Sequence, residues 1–117
     1  MAVTWEDLRQ LMRRMPGTEE GTSYGTPAFR VGRKFLTRLH PDGVSLVVPV
    51  GLDEREMLMA RDPKTYYITD HYRNSQAMLV SLRRVRAEAV FRLLEQHWRA
   101  VAPKRLLAQL PARSVKE

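Results

Sequence analysis

Between Phe29 and Val50 the apolar residues fall at alternate positions, and this constrains the fold more than any other feature of the chain. Phe29, Val31, Phe35 and Leu39 alternate with Arg30, Leu36, Arg38 and His40. Further on, Leu46, Val48 and Val50 alternate with Ser45 and Val47. A period of two is the repeat of a strand with one covered face, which excludes an all-helical bundle. Gly32-Arg33 interrupts the first run as a tight hairpin turn. "HPDG", from His40 to Gly43, supplies a second turn: proline presets φ, the aspartate bonds local backbone, and glycine accepts positive φ. The strands so joined form an antiparallel meander, with Pro49 marking an edge or a strand end.

Helical spacing flanks this core of strands. Thr4 and Asp7 make a capping box. Trp5, Leu8, Leu11, Met12 and Met15 then share one face, Arg9, Arg13 and Arg14 the other, and Pro16-Gly17 ends the helix. The stretch "TEEGTSYG" reads as a connection. Asp53 with Glu56 reads as a second capping box, opening a short helix through about residue 60. Thr65–Thr69 and Ala77–Leu82 read as strands. The last long helix spans roughly residues 87–102, with Val90, Phe91, Leu94, Trp98 and Val101 on its core face, and Pro103 kinks it or begins a final turn through Leu110. The order α-β-β-β-α-β-β-α predicts an α+β two-layer sandwich, an antiparallel sheet with helices on one face. At 117 residues it forms one domain over residues 1–110, with a frayed tail over 111–117.

Cysteine is absent, which removes disulfides, thiolate metal sites and cysteine nucleophiles. The N-terminus lacks a basic-then-apolar leader, and "VSLVVPVGL" is too short to span a bilayer, so the expectation is a cytoplasmic protein with no membrane role. Twenty Lys+Arg against 13 Asp+Glu give a net charge of +7. Such a surplus attracts polyanions irrespective of sequence, although an arginine-rich composition also arises without any such role.

Alternation turns Phe29, Val31, Phe35, Leu39, Leu46, Val48, Val80 and Leu82 toward the helices. It turns Arg30, Arg38, His40, Ser45, Ser81 and Arg83 to the opposite face. Arg33 and Lys34 occupy the hairpin tip, and Arg83, Arg84 and Arg86 precede the last helix. Together Arg30, Arg33, Lys34, Arg38, Arg83, Arg84 and Arg86 form a candidate phosphate-contacting set, against the plainer reading of a solvated sheet face. Tyr24, Tyr66, Tyr67 and Tyr72 are candidates for stacking on bases. The loop Asp70–Ser75 offers a second candidate site in His71, Tyr72 and Arg73, with Asp70 orienting His71 as a base and Arg73 clamping an anion. Sequence neighbours point apart, however. No nucleophile elbow, glycine-rich phosphate loop or H-E-x-x-H spacing occurs, so no catalytic residue is assigned and the expectation is a protein that is not an enzyme. His40, His71 and His97 lie on separate elements without ligand spacing, so no metal or cofactor is expected.

Four segments in order carry a family resemblance: "PGTEEGTSYGTPAFRVGRKFLTRL" from Pro16, "VPVGLDEREMLMARDPKTYYIT" from Val48, "HYRNSQAMLVSL" from His71, and "LLEQHWRAVAPKRL" from Leu93. The chain resembles the MmcQ/YjbR-like proteins over nearly its whole length. The resemblance implies an antiparallel α+β fold of the secretion-chaperone-like or double-wing kind. It also implies DNA binding, with the Gly32-Arg33-Lys34 tip and the Asp70–Ser75 loop as approaches to DNA. After the loop histidine this chain has no tryptophan where many relatives have one, which points to a divergent subgroup. The alternative function is a protein-interaction module for an acidic partner, with Met57, Leu58 and Met59 as its exposed patch.

Overall fold

In the computed structural model, which describes residues 2–109, six antiparallel strands form one sheet and the helices pack on it. The expected frayed tail over 111–117 lies outside the described residues. Helix α1 (Trp5–Met12) begins at the Thr4–Asp7 capping box, with Thr4 Oγ1 accepting from the Asp7 amide at 3.0 Å and the Asp7 carboxylate accepting from the Thr4 amide at 2.9 Å. Strands β1 (Thr18–Ser23), β2 (Thr26–Val31), β3 (Lys34–Leu39) and β4 (Ser45–Pro49) follow, then α2 (Leu52–Arg61), β5 (Tyr66–Tyr67), a 3-10 turn (Asp70–Tyr72), β6 (Ala77–Ser81), α3 (Ala87–Val101) and α4 (Lys104–Leu107). Across the sheet the strands run β1-β2-β3-β4-β6-β5.

The α+β sandwich stands, with one more strand than the order read from sequence. "TEEGTS" is no connection but the edge strand β1, paired with β2 from Thr18↔Val31 to Ser23↔Thr26. Its Glu19, Glu20, Gly21 and Thr22 are exposed, so the strand has no apolar alternation by which sequence could show it. Backbone pairing with β2 makes it a strand. The helix at 52 also differs from expectation. Gly51 is its N-cap, with no side-chain cap, so Asp53 and Glu54 act only as first-turn acids favoured by the helix dipole. Ala102 and Pro103, both extended, separate α4 from α3.

The main core lies between the sheet and α1 and α3. Leu8, Met12, Val31, Leu36, Leu46, Val48, Met78, Val80, Leu94 and Trp98 are fully buried there, and the Trp98 indole N–H donates to the Pro16 carbonyl at 3.1 Å. Among the strands read from sequence, the alternation holds except in β3. Arg30 pairs with Phe35 but Phe29 pairs with Thr37, so Leu36 is an extra residue in a β-bulge. A bulge resets side-chain parity. Leu36 therefore enters the core, whereas Phe35, placed by simple alternation toward the helices, faces away from them beside Arg30. Arg38 is returned to that same outer face, opposite Val47.

Candidate functional site

The outer face is not uniformly polar. At the β4–β6–β5 end, Val47, Leu79 and Tyr72 form a second small apolar cluster, with Tyr67 and Ile68 against it. The segment after β5 folds back over this part of the sheet and covers it. At the β2–β3 end the face stays open, and between the two lies a concavity of about 750 Å³. Its walls come from several elements. The end of β1 contributes Ser23, the β1–β2 turn Tyr24, β2 Arg30, and the β2–β3 turn Arg33. Phe35 and Arg38 come from β3, Val47 from β4, and His71 and Tyr72 from the covering turn.

Of the arginines read from sequence, Arg30, Arg33 and Arg38 thus converge. Arg30 donates to the Thr22 carbonyl at 3.0 Å, although Glu19 stands opposite it in the strand register. Arg38 donates to the Tyr72 hydroxyl at 3.2 Å and to Thr26 Oγ1 at 3.3 Å, and its guanidinium lies 5.3 Å from the centre of the Tyr24 ring. Among the described residues, the ion pairs engage other cations: Arg9, Arg14, His40, Arg73 and Arg99. Three guanidinium groups around one cavity, those of Arg30 and Arg38 bonded to neutral partners, form an electropositive site suited to an anion.

The remaining candidates are dispersed. Lys34 is exposed, and its pairing with buried Val31 sets it on the helix side of the sheet. Arg83, Arg84 and Arg86 are exposed in the β6–α3 connection and do not line the concavity. Arg83 instead borders a groove beside the start of α1. His71 and Tyr72 do meet, ring edge to face at 4.8 Å between centroids, but Asp70 is engaged by Arg73 and not by His71. Arg73 points its charge to solvent, outside the lining residues. Tyr66 packs on the main core and Tyr67 on the outer cluster, where its hydroxyl meets that of Ser45. Met57 is 50% exposed, while Leu58 and Met59 pack against the core, so of the apolar patch expected on α2 only Met57 remains exposed. Among the described residues, no three of His, Asp and Glu gather as a metal-holding group.

Two residues that sequence patterning does not single out shape the site. Phe35 reaches it through the bulge. Arg55 acts from behind the covering loop. It is 4% exposed, on α2, and its guanidinium donates to four carbonyls. The Nη1 atom reaches the oxygens of Tyr72 (3.1 Å), Ser75 (2.7 Å) and Ala77 (3.0 Å), and Nη2 that of Arg73 (3.2 Å). The loop that carries His71 and Tyr72 is thereby wrapped around a buried cation. In sequence, "LDEREMLMAR" shows Arg55 as one more charge on a polar helix face.

Ionisation in the surroundings follows burial and local bonds. Burial disfavours charge on Asp42, but the donors converging on it from the Val44 and Ser45 amides and the Ser45 hydroxyl outweigh that and hold its carboxyl below the ordinary range. Burial lowers the pKa of His97, and its contact at 3.1 Å with the carbonyl of Phe35 offsets this only in part.

The family model for YjbR matches residues 13–100, three quarters of the chain and all of the lining residues. The chain belongs to the YjbR family. This YjbR chain is 27% identical over 130 aligned residues to uncharacterized protein Mb2600 of Mycobacterium bovis and, equally, to uncharacterized protein Rv2570 of Mycobacterium tuberculosis. Each alignment covers 96% of this chain and 98% of the relative. The crystal structure of Deinococcus radiodurans protein DR2400, a DUF419 domain, superposes with a TM-score of 0.76 over 98% of this YjbR chain and 94% of its own. At 22% identity that likeness speaks to the fold alone. No helix of the described residues is long and apolar enough to cross a membrane.

Proposed function

We propose that this YjbR-family protein binds DNA in the cytoplasm, without a catalytic step, by contacting backbone phosphates from the concave outer face of its sheet. The observation that carries the reading is the convergence of Arg30, Arg33 and Arg38 on one cavity without a carboxylate partner among the described residues. The net charge of +7 adds a long-range attraction to any polyanion. Lys34, Arg83, Arg84 and Arg86 contribute to that general field and not to the site.

Fluorescence anisotropy with 5′-labelled single-stranded and duplex DNA, titrated across salt, tests this. Three phosphate contacts give a slope of log affinity against log salt of about −2 to −3. Arg33→Asn keeps a residue suited to the turn and removes the charge, so it makes the slope shallower by about 1. Lys34→Gln leaves the slope nearly unchanged. Absence of binding to either DNA form at low salt overturns the proposal.

A further inference from the structure

The two hairpin turns that flank β2 are built from unfavourable residues. Both have two-residue loops with positive φ at each position, Tyr24 (53°) with Gly25 (82°) and Gly32 (53°) with Arg33 (74°). Such turns favour Asn-Gly or Gly-Gly, because a side chain in the left-handed region crowds its own carbonyl. Tyr24 and Arg33 are the only non-glycine residues of the described chain in that region, and both line the concavity. Tyr24 is 90% exposed, so its ring gives the core nothing. The fold alone would favour asparagine in place of Tyr24, at the first position of its loop, and glycine in place of Arg33, at the second position of its own. Residues that strain the backbone and add no packing mark a site where side-chain chemistry is needed.

That chemistry is an aromatic face beside guanidinium groups. The Arg38 guanidinium lies over one face of the Tyr24 ring and is held there by the Tyr72 hydroxyl and Thr26 Oγ1, so a base would stack on the other face. An exposed ring beside cations is a stacking platform with phosphate clamps, the combination that single-stranded DNA takes. In a duplex the base faces are stacked on one another and closed to a tyrosine ring. The concavity, about 750 Å³, falls within the size range of sites for a ligand such as a nucleotide.

Resting on the DNA-binding reading, we infer that the concavity takes an unpaired nucleotide, its base on Tyr24 and its flanking phosphates on Arg30, Arg33 and Arg38, so that the protein prefers single-stranded to duplex DNA. The test compares a labelled mixed-sequence strand of about 15 nucleotides with the same strand annealed to its complement, by anisotropy at low salt. The single strand binds about tenfold more tightly or better. Tyr24→Asn raises the dissociation constant for the strand about tenfold while the melting temperature stays level or rises, because asparagine relieves the turn. Tyr24→Phe binds like the parent. Equal or tighter binding of the duplex, or a Tyr24→Asn variant that binds the strand as well as the parent, overturns the inference and leaves the DNA-binding reading in place. Failure of both DNA forms to bind overturns both.

Discussion

Replacing Arg55 by methionine keeps the side chain's apolar length and removes its guanidinium, and the outcome follows from the contacts. Four carbonyls lose a charged donor, but Nη1 has only two hydrogens for its three acceptors, so about three full bonds are lost. At about 1.5 kcal/mol each, the lower end for bonds to a charged group, that is about 4.5 kcal/mol. Some is recovered, because Ser75 and Arg73 lie near the surface, where water reaches their carbonyls, and because a buried cation no longer has to be desolvated. The net loss is about 3 kcal/mol, or a fall of about 12 °C in melting temperature for a domain of this size. Urea unfolding followed by circular dichroism reads the free energy. Hydrogen exchange reads the place: the amides of Tyr72, Arg73 and Ser75, which bond to Thr69, Asp70 and Tyr72, lose protection before the main sheet does. Arg55→Lys, with three donors on one ammonium, recovers part of the loss. A loss below about 1 kcal/mol with these amides still protected would refute the claim that the buried cation organises the loop.

The other expectations concern the bulge, the turn and the histidine. Leu36→Ala, which empties a fully buried site, costs about 3 kcal/mol in denaturant unfolding, and Phe35→Ala less than half of that; the reverse ranking would mean that β3 runs without a bulge. Asp42→Ala removes three acceptor bonds and costs about 2 kcal/mol, and in the parent that contribution is fully present above the ordinary aspartate value of 3.8 and is lost as pH falls from there through the lower folded-state value, which acid unfolding of parent and variant compared side by side would show. His97 has a lowered pKa, so below its ordinary value of 6.5 the unfolded chain takes up the proton first and stability falls as pH falls; His97→Gln flattens this limb of the stability–pH curve, and an unchanged curve would contradict the assignment.

Much of this protein follows from local rules. The capping box at Thr4, the Asp42 turn and the apolar faces of α1 and α3 are contacts within a few residues, so the residues that cause them are adjacent in sequence. The three arginines of the outer face were legible for the same reason, since strand alternation alone separates Arg30 from Phe29 and Val31. The edge strand β1 was not legible, because exposed Glu19, Glu20 and Thr22 carry no pattern and only pairing with β2 orders them. Nor was the exchange of Phe35 for Leu36, because a bulge is set by the register between two strands and not by either one.

By itself, then, the sequence determined the α+β class, the net positive charge and the side of the sheet on which Arg30 and Arg38 stand. Only the tertiary structure decided which charges meet. It bent the loop around Arg55, turned Lys34 away from Arg33, and left Arg83, Arg84 and Arg86 outside a cavity that Arg30, Arg33 and Arg38 share with Tyr24 and Tyr72. The physical reason is range: periodicity and turn chemistry act over a few residues, whereas the concavity is made by chain segments about fifty positions apart, from Ser23 to Tyr72, brought together by burial and backbone pairing.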